Sequence, residues 1–140
     1  MDNVYANEFT IARDLYFFTS AQDSAYGLEL SVSNGTINGT KKVISDARRN
    51  QFTQISSLVS CNNYLFFLAR DLTKNYYGYN MLARTDGTDA GTVYTSLPVN
   101  DVPVYNIECA AGSLYVTMAS TTTGTDSYSL WRTSDGTSYQ

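Results

Sequence analysis

One turn sequence occurs three times in this chain, as Ser33-Asn34-Gly35-Thr36, Thr85-Asp86-Gly87-Thr88 and Ser134-Asp135-Gly136-Thr137. Its glycines stand 52 and 49 residues apart. A second element keeps the same step: Asp14-Leu15-Tyr16-Phe17-Phe18 recurs as Asn63-Tyr64-Leu65-Phe66-Phe67 and as Ser113-Leu114-Tyr115-Val116-Thr117. Two motifs in phase, at a period near 50 residues, are the mark of an architecture built by stacking copies of one supersecondary unit.

The unit is made of strands. Its Leu/Tyr/Phe runs are short, aromatic and bounded by Asn, Asp, Ser and Gly, which is strand chemistry. No long stretch keeps a helical apolar period, and the segment from Lys42 to Gln51 reads as a strand followed by a charged loop. Asn-Gly and Asp-Gly tolerate the positive φ angles of tight hairpin turns, and the Thr that follows re-enters a strand. Gly39 and Gly91, four residues beyond the turn glycines, are expected to let the chain bend or bulge before its next strand. Each unit therefore reads as strand, hairpin, strand, turn, strand.

Composition narrows the function classes. The hydrophobic fraction of 43% over 140 residues suffices for one folded domain. The net charge of -4 comes mostly from aspartates, and with no basic patch there is no footprint for nucleic acid. No apolar run approaches the roughly 18 residues of a membrane span. Residues 1–5 lack the basic start and apolar stretch of a signal peptide, so an exported form is a mature chain or a segment of something longer. The scarcity of Lys, with 12 Tyr and loops of Ser, Thr and Asn, fits a secreted or cell-surface β protein.

The chain contains no His, which removes His-based acid–base catalysis, Ser-His-Asp and Cys-His arrangements, and imidazole metal sites. Paired-carboxylate chemistry is formally open, but no two carboxylates stand at a spacing that suggests a site, so no catalytic residue and no cofactor is expected. Asp86 and Asp89 flank a glycine turn and could offer oxygens to calcium. The full alternation of a calcium loop is missing, so Asp86 is read as organising the turn and Asp89 as decorating it. Asn34-Gly35-Thr36 and Asn38-Gly39-Thr40 are acceptor sequons for N-linked glycans at Asn34 and Asn38, although such triplets also arise from turn chemistry alone. Tyr76, Tyr77 and Tyr79 cluster beside Gly78, a candidate platform for a sugar ring or a protein partner.

The segment from Glu29 to Thr40 resembles the repeat Glu-Leu-Trp-x-Ser-Asp-Gly-Thr-x-x-Gly-Thr of large bacterial surface and secreted proteins, whose units are read as β-propeller blades. The second copy matches from Leu82 to Thr92. The third, from Leu130 to Thr137, keeps the motif's Trp as Trp131 and carries one extra residue before the turn; Ser31 and Ala83 stand at that position in the other two. The resemblance implies an all-β chain of antiparallel β-sheet blades, a propeller-like repeat domain spanning residues 1–140. Its repeats run over about 9–56, 57–106 and 107–140, with residues 3–6 as a strand completing the third. Cys61 and Cys109 lie 48 residues apart, near one repeat. Equivalent positions on neighbouring blades usually stand farther apart than the roughly 7 Å a disulfide spans, so buried free thiols are expected, with a bridge as the alternative.

Three blades are too few for an ordinary closed ring, and stacked repeats leave their outermost faces bare. The expectation is a non-catalytic structural or assembly module, outside the cell or on its surface. It would form a ring or fibre by blade packing between chains, by donation of a strand through Val4 and Tyr5, or with further repeats of a longer chain. The rival reading is a propeller module that binds carbohydrate or a surface protein.

Overall fold

The computed structural model describes residues 6–23, 27–74, 79–99, 102–120 and 127–140. They form three antiparallel sheets. Sheet 1 contains β1 (Ala6–Ala12), β2 (Leu15–Asp23), β3 (Gly27–Ser33) and β4 (Lys41–Lys42); sheet 2 contains β5 (Thr53–Cys61), β6 (Tyr64–Arg70), β7 (Met81–Thr85) and β8 (Val93–Tyr94). Sheet 3 contains β9 (Val104–Ala110), β10 (Ser113–Ala119) and β11 (Tyr128–Thr133), with neighbours in chain order in every sheet.

The Leu-Tyr-Phe element is the second strand of each sheet, preceded by a partner that the sequence motifs do not mark. Those partners, β1, β5 and β9, turn into the second strands through two-residue hairpins at Arg13-Asp14, Asn62-Asn63 and Ala111-Gly112. Arg13, Asp14, Asn62, Ala111 and Gly112 have positive φ, the geometry that matches a right-twisted hairpin. Of the strand expected over residues 3–6, only Ala6 lies among the described residues. Ala6 pairs with Ser20 inside sheet 1, so it does not complete the third sheet. Tyr139 bridges Thr133, and Gln140 exchanges two backbone hydrogen bonds with Arg132, which begins a fourth strand for sheet 3 from its own residues. Val4 and Tyr5 lie outside the described residues. The Lys42–Gln51 segment holds only the last residue of β4, then turns and a single 3-10 turn at Arg49–Gln51, shorter in strand than expected.

The repeated turn is wider than a tight hairpin, because its side chains build the loop. Thr88 donates both its backbone N–H and its hydroxyl to Asp86 Oδ1, at 2.9 and 2.7 Å. Gly91 N–H donates to Thr88 Oγ1, and the Thr92 hydroxyl reaches the Thr88 carbonyl. Thr85 Oγ1 meets Thr92 Oγ1 at 2.7 Å. The first copy repeats the pattern with Asn34, Thr36, Gly39, Thr40 and Ser33 in the same roles. Only the first glycine of each turn needs its freedom of φ: Gly35, Gly87 and Gly136 have φ of 90°, 100° and 79°. Gly39 and Gly91 serve another purpose than the expected bulge. A Cβ on either would lie 1.8 Å from Asn34 Oδ1 or 2.0 Å from Asp86 Oδ1, so glycine leaves the space in which the capping side chain sits. In the third copy the extra residue Ser134 is absorbed, and Thr133 Oγ1 still accepts from Gly136 N–H.

The sheets stack face on face. In β6, Leu65, Phe67 and Ala69 point toward sheet 1, while Phe66 and Leu68 point toward sheet 3. The first core joins Phe17, Leu30 and Val32 of sheet 1 to Ile55, Leu65 and Phe67 of sheet 2. The second joins Phe66, Leu68 and Leu82 to Ile107, Leu114, Val116 and Met118 of sheet 3. Sheet 2 is covered on both sides, which explains why β6 reads as a continuous apolar run.

Candidate functional site

Register aligns the second and third strands of the three sheets residue by residue from the turn end. Tyr16 pairs with Ser33, Leu65 with Thr85 and Leu114 with Thr133, so Tyr16, Leu65 and Leu114 are one position in three copies. These residues lie on what we term the back face, and Phe17, Phe66 and Tyr115, the next in each strand, lie on the forward face. Both internal interfaces are a forward face seated on a back face.

The same atoms recur at both. Phe17 and Leu15 approach the turn glycine of the next sheet, Gly87, and Phe66 approaches Gly136; a Cβ there would meet Phe17 Cζ at 3.5 Å and Phe66 Cε1 at 3.0 Å. The hairpins join likewise, since Arg13 donates to the Asn63 carbonyl at 3.2 Å and Asn62 Nδ2 to the Gly112 carbonyl at 3.1 Å. Asn62 Nδ2 also reaches the Ser134 carbonyl, and Arg84 donates to the carbonyl of Asp135.

One disulfide fastens the second interface. Cys61, on the forward face, is bonded to Cys109 on the back face, with Cα atoms 5.5 Å apart. The expectation of free thiols fails because the cysteines are not at the same repeat position. Cys61 pairs with Tyr64 and Cys109 with Leu114, so one ends its strand and the other stands a residue earlier, on the opposite face. That offset turns the two sulfurs toward each other.

Among the described residues, the two outermost faces lack such a cover. On the back of sheet 1, Phe9, Ile11 and Tyr16 are exposed, with the Phe9 and Tyr16 rings stacked at 5.6 Å. On the front of sheet 3, Tyr128 and Leu130 are exposed beside the exposed Tyr105, whose ring lies edge-on to Tyr128 at 5.3 Å. Position by position the contrast is plain: Leu30 and Leu82 are 1% and 0% exposed, and their third copy, Leu130, is 66% exposed. Leu65 and Leu114 are fully buried, whereas Tyr16 is 40% exposed. Contiguous apolar surface on two sides of one chain is the signal of interaction surfaces. Its alternation was visible in Phe9-Thr10-Ile11 and Tyr128-Ser129-Leu130, but sequence alone does not say which alternating face lies inside.

The residues singled out from the sequence do not converge on one site. Tyr79 is half-buried just ahead of β7, and Tyr76 and Tyr77 lie outside the described residues. Asn34 and Asn38 are both exposed in the first turn, and Asn34 holds that turn through its Oδ1. Asp86 organises its loop as expected. Asp89 does more than decorate: its Oδ1 accepts the Ser45 N–H at 2.9 Å and faces Arg48 at 3.4 Å, tying the loop after β4 to the turn of sheet 2. Arg48 also donates to the Asp89 and Thr92 carbonyls. No group of three or more metal-ligating side chains occurs among the described residues. No helix there is long and apolar enough to cross a membrane.

The turn carboxylates give the fold an acid limit. The Thr88 hydroxyl and N–H bonds hold the Asp86 carboxyl below its usual range, and the Thr137 hydroxyl and N–H, with Ser138 N–H, do so strongly for Asp135. A carboxylate whose folded pKa is depressed stabilises the fold above its unfolded pKa of about 3.9, and that contribution is lost as pH falls through the lowered folded value. Asn34 makes the first turn immune. The thermal midpoint is expected to fall below about pH 4, and to fall less steeply in a variant carrying Asp86→Asn and Asp135→Asn. Equal acid slopes in melts monitored by circular dichroism would count against this assignment.

Comparison with protein-family models, with curated proteins and with solved structures finds no match to the chain.

Proposed function

We propose that the chain is a non-catalytic assembly module, a propeller-like stack of three blades whose role is to pack against further blades in a ring or fibre. The observation that carries this reading is the pair of uncovered faces, Phe9, Ile11 and Tyr16 at one end and Tyr105, Tyr128 and Leu130 at the other. Of these, Tyr16 and Leu130 hold positions that are buried in both other copies, the mark of a contact left to be made. The resemblance of the turn motif to the repeats of bacterial surface proteins supports the same class. The Cys61–Cys109 bond supports a place outside the cell or on its surface, because disulfides persist in oxidising compartments. Donation of a strand through Val4 and Tyr5, which lie outside the described residues, would be a second route to the same assembly.

The test is the mass of the purified chain in solution, by light scattering over a wide concentration range. Multiples of the 15.5 kDa unit are expected, with a single discrete species for a ring and a rising distribution for a fibre. A monomer at every concentration would refute the assembly role. A second reading, a module that binds carbohydrate, is favoured by the exposed edge-on pair Tyr105 and Tyr128, since such rings offer flat apolar area with polar tips. Saturable binding of oligosaccharides by a monomeric chain, lost on Tyr128→Ala, would select it.

A further inference from the structure

We infer that the partner of each uncovered face is a second copy of this chain, with the front of sheet 3 seated on the back of sheet 1 in the register of the two internal interfaces. This rests on the assembly reading and specifies its contact. The two open surfaces are one forward face and one back face, so a single copy offers both halves of an interface that it already contains twice. Self-complementarity of this head-to-tail kind closes into a ring or propagates, according to the rotation between copies.

The vacancies match group by group. Gly87 and Gly136 each receive an aromatic ring from the preceding sheet, whereas no described residue approaches the Cβ position of Gly35 within 4 Å. Tyr115 occupies the strand position of Phe17 and Phe66 and is the ring available to Gly35 of another copy. Arg132 stands where Arg84 stands, and Arg84 donates to the carbonyl just before the turn glycine Gly136. Its counterpart acceptor is the Asn34 carbonyl. The Thr85–Thr92 hydroxyl pair is fully buried, while the equivalent Ser33–Thr40 pair, with the same 2.7 Å contact, is still exposed. One internal contact is missing from the set. Ala111 replaces Arg13 and Asn62, the hairpin donors, so the contact between copies carries one hydrogen bond fewer.

The Cys61–Cys109 bond supplies the ruler for a test. Ala110 ends its strand opposite Ser113 as Cys61 does opposite Tyr64, and Ile11 pairs with Tyr16 as Cys109 pairs with Leu114. Both positions are exposed, so a cysteine at either leaves the core intact. Chains carrying Ile11→Cys and chains carrying Ala110→Cys, each keeping the native disulfide, are expected to form a covalent mixed dimer when oxidised together, and neither is expected to cross-link alone. Tyr115→Glu is expected to weaken self-association of the otherwise native chain by at least about tenfold with its circular dichroism unchanged. If the native chain associates but the mixed cysteine variants stay uncoupled, or Ile11→Cys couples with itself, this interface is wrong and the assembly role stands. If the native chain is monomeric throughout, both fall.

Discussion

Phe66→Ala is expected to remove about 3–5 kcal/mol from the stability of the fold, the range for truncating a fully buried phenylalanine. Phe66 is 0% exposed, packs among Leu68, Leu82 and the sheet 3 side chains, and lies against Gly136. The change strips one interface of its ring and leaves a cavity that two rigid sheets cannot close. That loss is a large part of the 5–15 kcal/mol that a domain ordinarily has. Tyr115→Ala makes the informative comparison. Tyr115 holds the same place in the third copy, where it is half-buried with no sheet beyond it among the described residues, so in the monomer the change is expected to cost only about 1 kcal/mol. Denaturant titration of the two variants checks both values, and equal losses would mean that the residues are not equivalent.

The second large effect is expected from the disulfide. Cys61 and Cys109 close a segment 48 residues long, and removing that restraint from the unfolded chain is worth about 4 kcal/mol in the loop-entropy account. A variant with both cysteines changed to Ser is expected to melt well below the native chain, and the native chain under reductant to match it. The bond pins sheet 2 to sheet 3, so loosening should be felt first in β9 and β10. Sheet 1 and its contact with sheet 2 contain no cysteine and should retain their stability longer. Unchanged melting under reducing conditions would show that the two thiols are not joined.

The strands and their repetition were legible in the sequence because the turn motif is a complete set of hydrogen-bonding parts. Asp86 must cap, Thr88 must donate and receive, Gly87 must take a positive φ, and Gly91 must leave room for the cap. Such a set tolerates little change, so it survives as a readable string. Strands β1, β5 and β9 carry no repeated string of their own. Their bulges and mixed composition break the alternation; Gln54 and Ser57 of β5 both have positive φ, and its register slips on either side of Ser56. The disulfide was hidden for a related reason. A separation of one repeat suggests equivalent positions, and only the pairing register shows that Cys61 and Cys109 are one residue out of step and on facing surfaces. The apolar outer faces were foreseeable as a consequence of three stacked copies, but naming Phe9, Ile11, Tyr128 and Leu130 required knowing which side of each sheet was already covered.

Hydrogen exchange followed as a function of protein concentration tests most directly whether the chain is one interface used twice within and once between copies. Protection is expected to rise with concentration in two places only: in the Ser33–Thr40 turn with the adjoining ends of β1 and β2, and along β10 and β11. The turns of sheets 2 and 3, already covered, should hold their protection unchanged from the most dilute sample upward. Concentration-independent exchange at the first turn, or protection gained at the Asp86 turn instead, would contradict the account.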